Sequence, residues 1–166
     1  MEQERIEKLA EYLEEPVENF KEGYTENIVE NTETGEIYFV GTYDESYEEA
    51  RDSIESTFDD LGLDAFTPWF QTWIVENALE EEWFEDAQRE SFTYYVEDIE
   101  NENDETFEWY KLNFGLDRDF VKNGPSIDME VVVDKAIEED GIAHFVARYD
   151  GKEIELDDDL FAYRID

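Results

Sequence analysis

Between residues 3 and 14, Ile6, Leu9, Ala10 and Leu13 recur on one side while Glu4, Glu7, Glu11 and Glu14 fall on the other. That spacing predicts an amphipathic helix. Pro16 suits the first position of a second short helical turn, which carries Val17 and Phe20 and ends at Gly23. The period then changes. Ile28-Val29 and Ile37-Tyr-Phe-Val40 flank the turn-like Asn31-Thr-Glu-Thr-Gly35, a pattern that predicts a β-hairpin.

Ser46 followed by Glu49 has the spacing of a capping box. Beyond it Tyr47, Ala50, Ile54, Phe58 and Leu61 repeat at helical intervals until Gly62. Thr67-Pro68 has the cap-then-proline order of another helix start, with Trp69, Phe70, Trp73, Ile74 and Val75 as its candidate core. An acidic segment over 80–100 keeps Phe84, Ala87, Phe92, Tyr95 and Ile99 on its buried side, and 104–114 predicts a further helix around Phe107, Trp109 and Tyr110. Lys122-Asn-Gly-Pro125 is the clearest break. After it, 127–139 predicts a helix with Met129, Val132, Val133, Ala136 and Ile137 inward, and short strands are expected at 153–156 and 160–165. Joined to the early hairpin in a small antiparallel sheet, these give a mostly helical α+β fold. The expected organisation is a single domain over 1–166, with two lobes as the variant and the break near 122–126.

Charge changes this picture. The 166 residues hold 50 Asp and Glu against 12 Lys and Arg, a formal net charge of -38. Such an imbalance ordinarily favours disorder, but 12 Phe, 10 Tyr and 4 Trp supply a core, each ring burying about 150–250 Å². Twelve scattered bases cannot build a phosphate-holding patch, so direct nucleic-acid binding is not expected. Neither a transmembrane span nor a signal peptide is expected. The lack of Cys removes disulfides and thiolate chemistry and suits a reducing cytosol.

The acids are uneven. Between Arg51 and Lys111 only Arg89 offsets 19 carboxylates. On the capped helix Glu45, Glu48, Glu49, Asp52, Glu55 and Asp59 lie opposite the apolar stripe, and on the acidic segment Glu82, Asp86 and Glu90 form an i, i+4, i+8 row with Glu97 and Glu100 beyond. Residues so spaced lie about 5–6 Å apart at Cβ, similar to successive phosphates along a DNA strand. Each like-charge pair costs a helix about 0.2–0.5 kcal/mol, and solubility needs a net charge of only about 2–8. At one charge per about 1.7 Å of duplex, this protein's excess matches roughly 65 Å of DNA.

Catalytic signals are poor. His144 is the sole histidine and, between Ala143 and Phe145, is expected to be a buried structural residue. Zinc sites of the usual kinds are excluded. Asp157-Asp-Asp159 lacks the spacing of a calcium loop, and there is no glycine-rich phosphate loop or nucleophile elbow. No enzyme, cofactor or metal is expected.

In composition, size and acidic helices the whole chain resembles the DNA-mimic inhibitors of mobile elements, the antirestriction and some anti-CRISPR proteins. Gly35-Glu-Ile-Tyr-Phe-Val40, the helix start Tyr47-Glu-Glu-Ala-Arg51 and the ending Asp140-Gly…His144-Phe…Tyr149-Asp-Gly-Lys-Glu153…Tyr163-Arg-Ile165 are similar to a group of small uncharacterised phage proteins. The chain departs from that group at Asp140-Gly-Ile142, where a basic residue is expected after the glycine. The second resemblance implies a phage setting and gives no activity; with the first, the expectation is a protein of the host cytoplasm, a monomer or homodimer. It would be a non-catalytic inhibitor that occupies the basic nucleic-acid groove of a host defence protein, either a CRISPR effector or a restriction complex. The expected contact residues are Glu48, Glu49, Asp52, Glu55, Asp59 and Asp60, then Glu81, Glu82, Glu85, Asp86, Glu90, Glu97 and Glu100. Trp83 and Tyr94, where exposed, would add base-like stacking anchors, core packing being the expected role of most rings. Two other readings stay open: an acidic binding or chaperone module for a basic protein, and a halophilic protein whose folding demands molar salt.

Overall fold

The computed structural model describes residues 2–78 and 127–166. Their order is α1 (Glu2–Leu13), a 3-10 turn (Val17–Asn19), β1 (Phe20–Glu22), β2 (Ile28–Asn31), β3 (Ile37–Gly41), α2 (Tyr43–Leu61), a 3-10 turn (Gly62–Ala65) and α3 (Pro68–Asn77). The later elements are α4 (Met129–Asp140), α5 (Ile142–Val146), β4 (Ile154–Asp157) and β5 (Leu160–Arg164). Two units result, Met1–Ile54 with Ala136–Asp166, and Glu55–Lys135. The expected break at 122–126 and the helices expected over 80–100 and 104–114 lie outside the described residues.

In the first unit the five strands form one antiparallel sheet in the order β1-β2-β3-β5-β4. The fold is α+β, with N-terminal and C-terminal strands in one sheet, as the pattern predicts. Strand side chains alternate between faces, and the two faces are both used. Val29, Tyr38, Val40, Leu160 and Ala162 pack with Leu9 and Ala10 of α1. Ile28, Phe39 and Tyr163 turn the other way, onto Ala50 of α2 and Ile142 and Val146 of α5. This double cover is why β3 and β5 read as nearly continuous apolar runs rather than alternating ones. The edge strands β1 and β4 are short and carry Lys21, Glu22, Glu155 and Asp157, which discourages pairing with another chain.

The hairpin pairs Ile28 with Phe39 and Val29 with Tyr38. Its turn is organised by Asn31, fully buried, whose side-chain oxygen accepts from the backbone N–H of Glu33 at 3.0 Å and Thr34 at 3.2 Å. Gly35 supplies the left-handed residue, at φ 79°. Phe20 corrects the expectation of a second helical turn running to Gly23. The turn stops at Asn19, and Phe20 begins β1, where Lys21 lies opposite Glu30; pairing with β2 overrides the local helical signal.

The cap of α2 also lies elsewhere than expected. Thr42 and Glu45 form the reciprocal pair: the Glu45 carboxylate accepts from the Thr42 N–H at 2.9 Å, and the Thr42 hydroxyl from the Glu45 N–H at 3.3 Å. Ser46 sits one turn inside the helix, fully buried, its hydroxyl donating to the Thr42 carbonyl at 2.7 Å. Both spacings satisfy the capping rule; the close of β3 at Gly41 selects the earlier one. A Cβ at Gly41 would meet Glu45 Oε2 at 3.0 Å and Phe39 Cε1 at 2.9 Å, so the strand end and the cap share a space that only glycine leaves open.

In the second unit Phe58, Phe66, Phe70 and Trp73 form a chain of rings with successive centroids 6.2, 4.9 and 5.8 Å apart. Ile74, Val132 and Val133 are fully buried, and the Asp128 N–H donates to the Ala78 carbonyl at 2.8 Å. Proline opens α3 as expected, with Thr67 before it, although the Thr67 side chain makes no capping bond. Trp69, expected in the core, is 51% exposed. The buried stripe of α3 runs through Phe70 and Ile74 to Ala78 at its C-cap, and a residue one position away points about 100° aside.

α1 ends in a left-handed cap held by a residue ill suited to it. The Glu15 N–H donates to the Ala10 carbonyl and the Glu14 N–H to that of Glu11, with Glu14 itself at φ 57°. Glycine is the usual occupant of that position. Glu14→Gly is therefore expected to raise stability by about 1 kcal/mol in urea melts, beyond any gain from Glu14→Gln, which removes the same charge without relieving the backbone.

Candidate anionic interaction surface

α2 places its apolar positions inward and leaves a carboxylate row outside. In the first unit Asp44, Glu48 and Asp52 are exposed and follow one another at four-residue intervals, spanning about 12 Å of helix axis. In the continuation of the helix within the second unit, Glu55 is half-buried and Asp59 and Asp60 are exposed. Glu49 lies to one side, half-buried and 3.8 Å from Arg148. Of the expected contact residues, then, Glu48, Asp52, Asp59 and Asp60 stand open, while Glu49 is shared with a cation. Glu81, Glu82, Glu85, Asp86, Glu90, Glu97 and Glu100 lie outside the described residues, as do Trp83 and Tyr94.

Glu45 leaves the acidic face altogether. Its carboxylate takes hydrogen bonds from Arg5 Nη2 at 2.9 and 3.1 Å, from Asn27 Nδ2 at 3.2 Å and from the Thr42 N–H. Arg5 is 4% exposed. Its Nη1 also approaches the Val40 and Glu26 carbonyls at 3.4 and 3.5 Å. Burial by itself raises the Glu45 pKa; the bonds from Thr42, Arg5 and Asn27 together outweigh it and hold the carboxyl below its usual range. Nothing in the periodicity of α1 marks Arg5, which sits between the apolar stripe and the row of glutamates.

Other bases are drawn into the fold in the same way. Lys8 binds Glu4 at 3.1 Å and also Asp157, and its hydrogen bond holds the Glu4 pKa down. Lys21 of the edge strand β1 pairs with Glu30 of its neighbour β2 at 3.2 Å. Arg164 binds Glu36 at 2.9 Å while its guanidinium lies 3.7 Å over the Tyr149 ring, and Tyr38 donates to the same Glu36 at 3.3 Å. Burial first, then the Glu36 charge, pushes the Tyr38 phenol up to about 12. Tyr163 is raised as well, by burial and by the Glu153 carboxylate that accepts its hydroxyl proton at 3.0 Å.

The exposed acids of the first unit are not confined to α2. Glu4, Glu7, Glu11 and Glu14 line the outer side of α1, which covers the opposite face of the sheet from α2. Anionic rows thus flank the sheet on both sides. His144 is exposed rather than buried, with Phe145 edge-on to it at 4.9 Å; α5 turns Ile142 and Val146 inward and leaves position 144 outside. The Asp157 carboxylate is taken by Lys8 and by the Asp159 N–H at 3.0 Å. Among the described residues no cluster of three carboxylate or imidazole groups could hold a metal ion, and no helix is long and apolar enough to cross a membrane. No family model, curated protein or solved structure matches the chain.

Glu45 and Tyr38, two of the four shifted groups among the described residues, bracket the stability profile. Glu45 has a lowered pKa in the fold, so its contribution is present above the ordinary carboxylate range and is lost as pH falls through the lowered value. Tyr38 has a raised one, so its contribution is complete below about 10 and is lost as pH climbs from there. Urea melts across pH are expected to show Glu45→Gln less stable near neutrality by about 1.5–3 kcal/mol, with a shallower acid limb. Tyr38→Phe is expected to flatten the alkaline limb.

Proposed function

We propose that this protein is a phage-encoded, non-catalytic inhibitor that mimics DNA and occupies the basic nucleic-acid groove of a host defence protein, a CRISPR effector or a restriction complex. The observation that supports this most is the exposed carboxylate row of α2 beside bases engaged by carboxylates of the same fold. Asp44, Glu48 and Asp52 face outward at helical intervals, whereas Arg5, Lys8 and Arg164 are bound to Glu45, Asp157 and Glu36. A partner's Lys and Arg can therefore meet Asp44, Glu48 and Asp52 directly, although Arg148 lies beside Glu49 on the same helix. Complementary charge speeds association and makes it salt-sensitive, and carboxylates on an ordered helix lose less entropy on docking than those of a disordered tail.

A second reading has its own support. Acids on α1 as well as α2 suit an acidic binding or chaperone module that shields a basic protein on more than one side. Competition separates the two: a mimic displaces duplex or guide RNA from its target, and a chaperone binds without displacing it.

The test is an affinity pull-down from host lysate with mass spectrometry, followed by displacement of a labelled duplex from the recovered protein. A nucleic-acid-binding defence protein is expected. The combined Glu48→Lys, Asp52→Lys and Asp59→Lys variant is expected to displace the duplex at least tenfold less well, with a shallower dependence on salt and an unchanged circular dichroism spectrum. Recovery of proteins with no basic groove, or undiminished displacement by the variant, overturns the reading.

A further inference from the structure

The acid rows of the first unit lie on helices that do not share a sheet face, and one buried side chain reaches both helices. Arg5 belongs to α1, whose Leu9 and Ala10 pack on one face. Glu45 belongs to α2, whose Ala50 packs on the other. The two meet where β3 ends: Arg5 Nη2 bonds both Glu45 oxygens, at 2.9 and 3.1 Å, and its Nη1 lies 3.4 Å from the Val40 carbonyl. Asn27, from the turn before β2, donates to the same Val40 carbonyl and the same Glu45 carboxylate, both at 3.2 Å. Glu45 in turn holds the Thr42 N–H and so defines the first turn of α2. Gly41 keeps the space for it.

We propose that Arg5 is a positioning residue: by gripping Glu45 around the end of the sheet it sets the direction of α2 relative to α1, and so holds the Asp44–Glu48–Asp52 row and the Glu4–Glu7–Glu11 row in one frame. The use made of that frame rests on the partner reading above; the positioning itself does not.

Three features support the assignment over a merely stabilising ion pair. Arg5 is buried and Glu45 half-buried; a pair withdrawn from water contributes little net stability compared with apolar residues of the same volume, and its best-attested use is to select one arrangement among several. The acceptors come from separate elements, namely the cap of α2, the end of β3 and, at 3.5 Å, the Glu26 carbonyl before β2, so the guanidinium is satisfied only when these are mutually in place. Rows of like charge repel, and the hydrophobic effect by itself is not directional enough to fix the rotation of α2 about its buried stripe. A planar guanidinium with a fixed fork is; a lysine ammonium, a point charge on a flexible stem, is not.

The experiment measures amide residual dipolar couplings on the full chain, free of any partner, for wild type, Arg5→Lys and Glu45→Gln. In wild type the amides of α1, the sheet and residues 43–54 of α2 are expected to fit one alignment frame. In both variants the sheet and α1 are expected to keep theirs while the α2 amides depart from it. Arg5→Lys retains the charge and is the variant chosen to keep the fold; Glu45→Gln removes the anion while leaving a carbonyl oxygen for the cap. If the melting temperature falls but α2 still fits the common frame in both variants, Arg5 is a stabilising residue only and the proposal is overturned. Because no partner enters the measurement, its failure is distinct from a pull-down that returns no nucleic-acid-binding protein.

Discussion

Self-repulsion is the constraint under which everything else in this chain is arranged. With a net charge of -38, any extended or loosely collapsed state separates the carboxylates better than the native one does, and there are too few bases to neutralise them pairwise. Apolar burial is the term large enough to oppose this. A fully buried Val, Leu, Ile or Phe contributes about 1.5–3 kcal/mol, against about 0.2–0.5 kcal/mol for each like-charge helical pair, so each such side chain offsets several pairs. A sheet covered on both faces doubles the number of inward positions that each strand offers. Residues such as Val40 and Ala162 on one face, and Phe39 and Tyr163 on the other, are buried within the same two adjacent strands.

Among the described residues, three of the scarce cations tie separate elements of the first unit together. Arg5 joins α1 to the cap of α2, Lys8 joins α1 to β4, and Arg164 joins the end of β5 to the start of β3. Each of these links distant parts of the chain, unlike the neighbouring i,i+4 pairs by which surface helices ordinarily balance their charge. The exposed carboxylates Asp44, Glu48 and Asp52 of α2 are not among those that these three cations bind. An ordered polyanion differs from an acidic tail in this respect: its charges keep fixed separations, and a partner's bases meet them without first ordering a chain.

The outward placing of the described acids was legible along the chain, because an exposed helical row follows from spacing alone. Glu48, Asp52 and Asp59 are outward on α2 since Ala50, Ile54 and Phe58 are inward. Spacing could not show which neighbouring acids are already engaged. Glu45 and Glu49 sit on the same helix as Glu48, yet one is bound by a buried arginine and the other lies near Arg148. Both of those partners come from far away in sequence. Nor could it show that α1 and α2 lie on opposite faces of the sheet, which makes the anionic surface of the first unit two-sided.

Periodicity and punctuation are local, and they alone determined the helix of residues 2–13, the hairpin turned at Asn31 and Gly35, the proline that opens α3, and the C-terminal strands. Each depends on side-chain spacing or on backbone freedom within a few residues. The tertiary structure decided the choices between local options of similar energy. Pairing with β2 made Phe20 a strand residue; the end of β3 selected Thr42 and Glu45 over Ser46 and Glu49 as the cap; rotation of short helices put Trp69 and His144 outside. For Phe20 and for the cap of α2 the local alternatives differ by about a kilocalorie, a margin that one strand pairing exceeds.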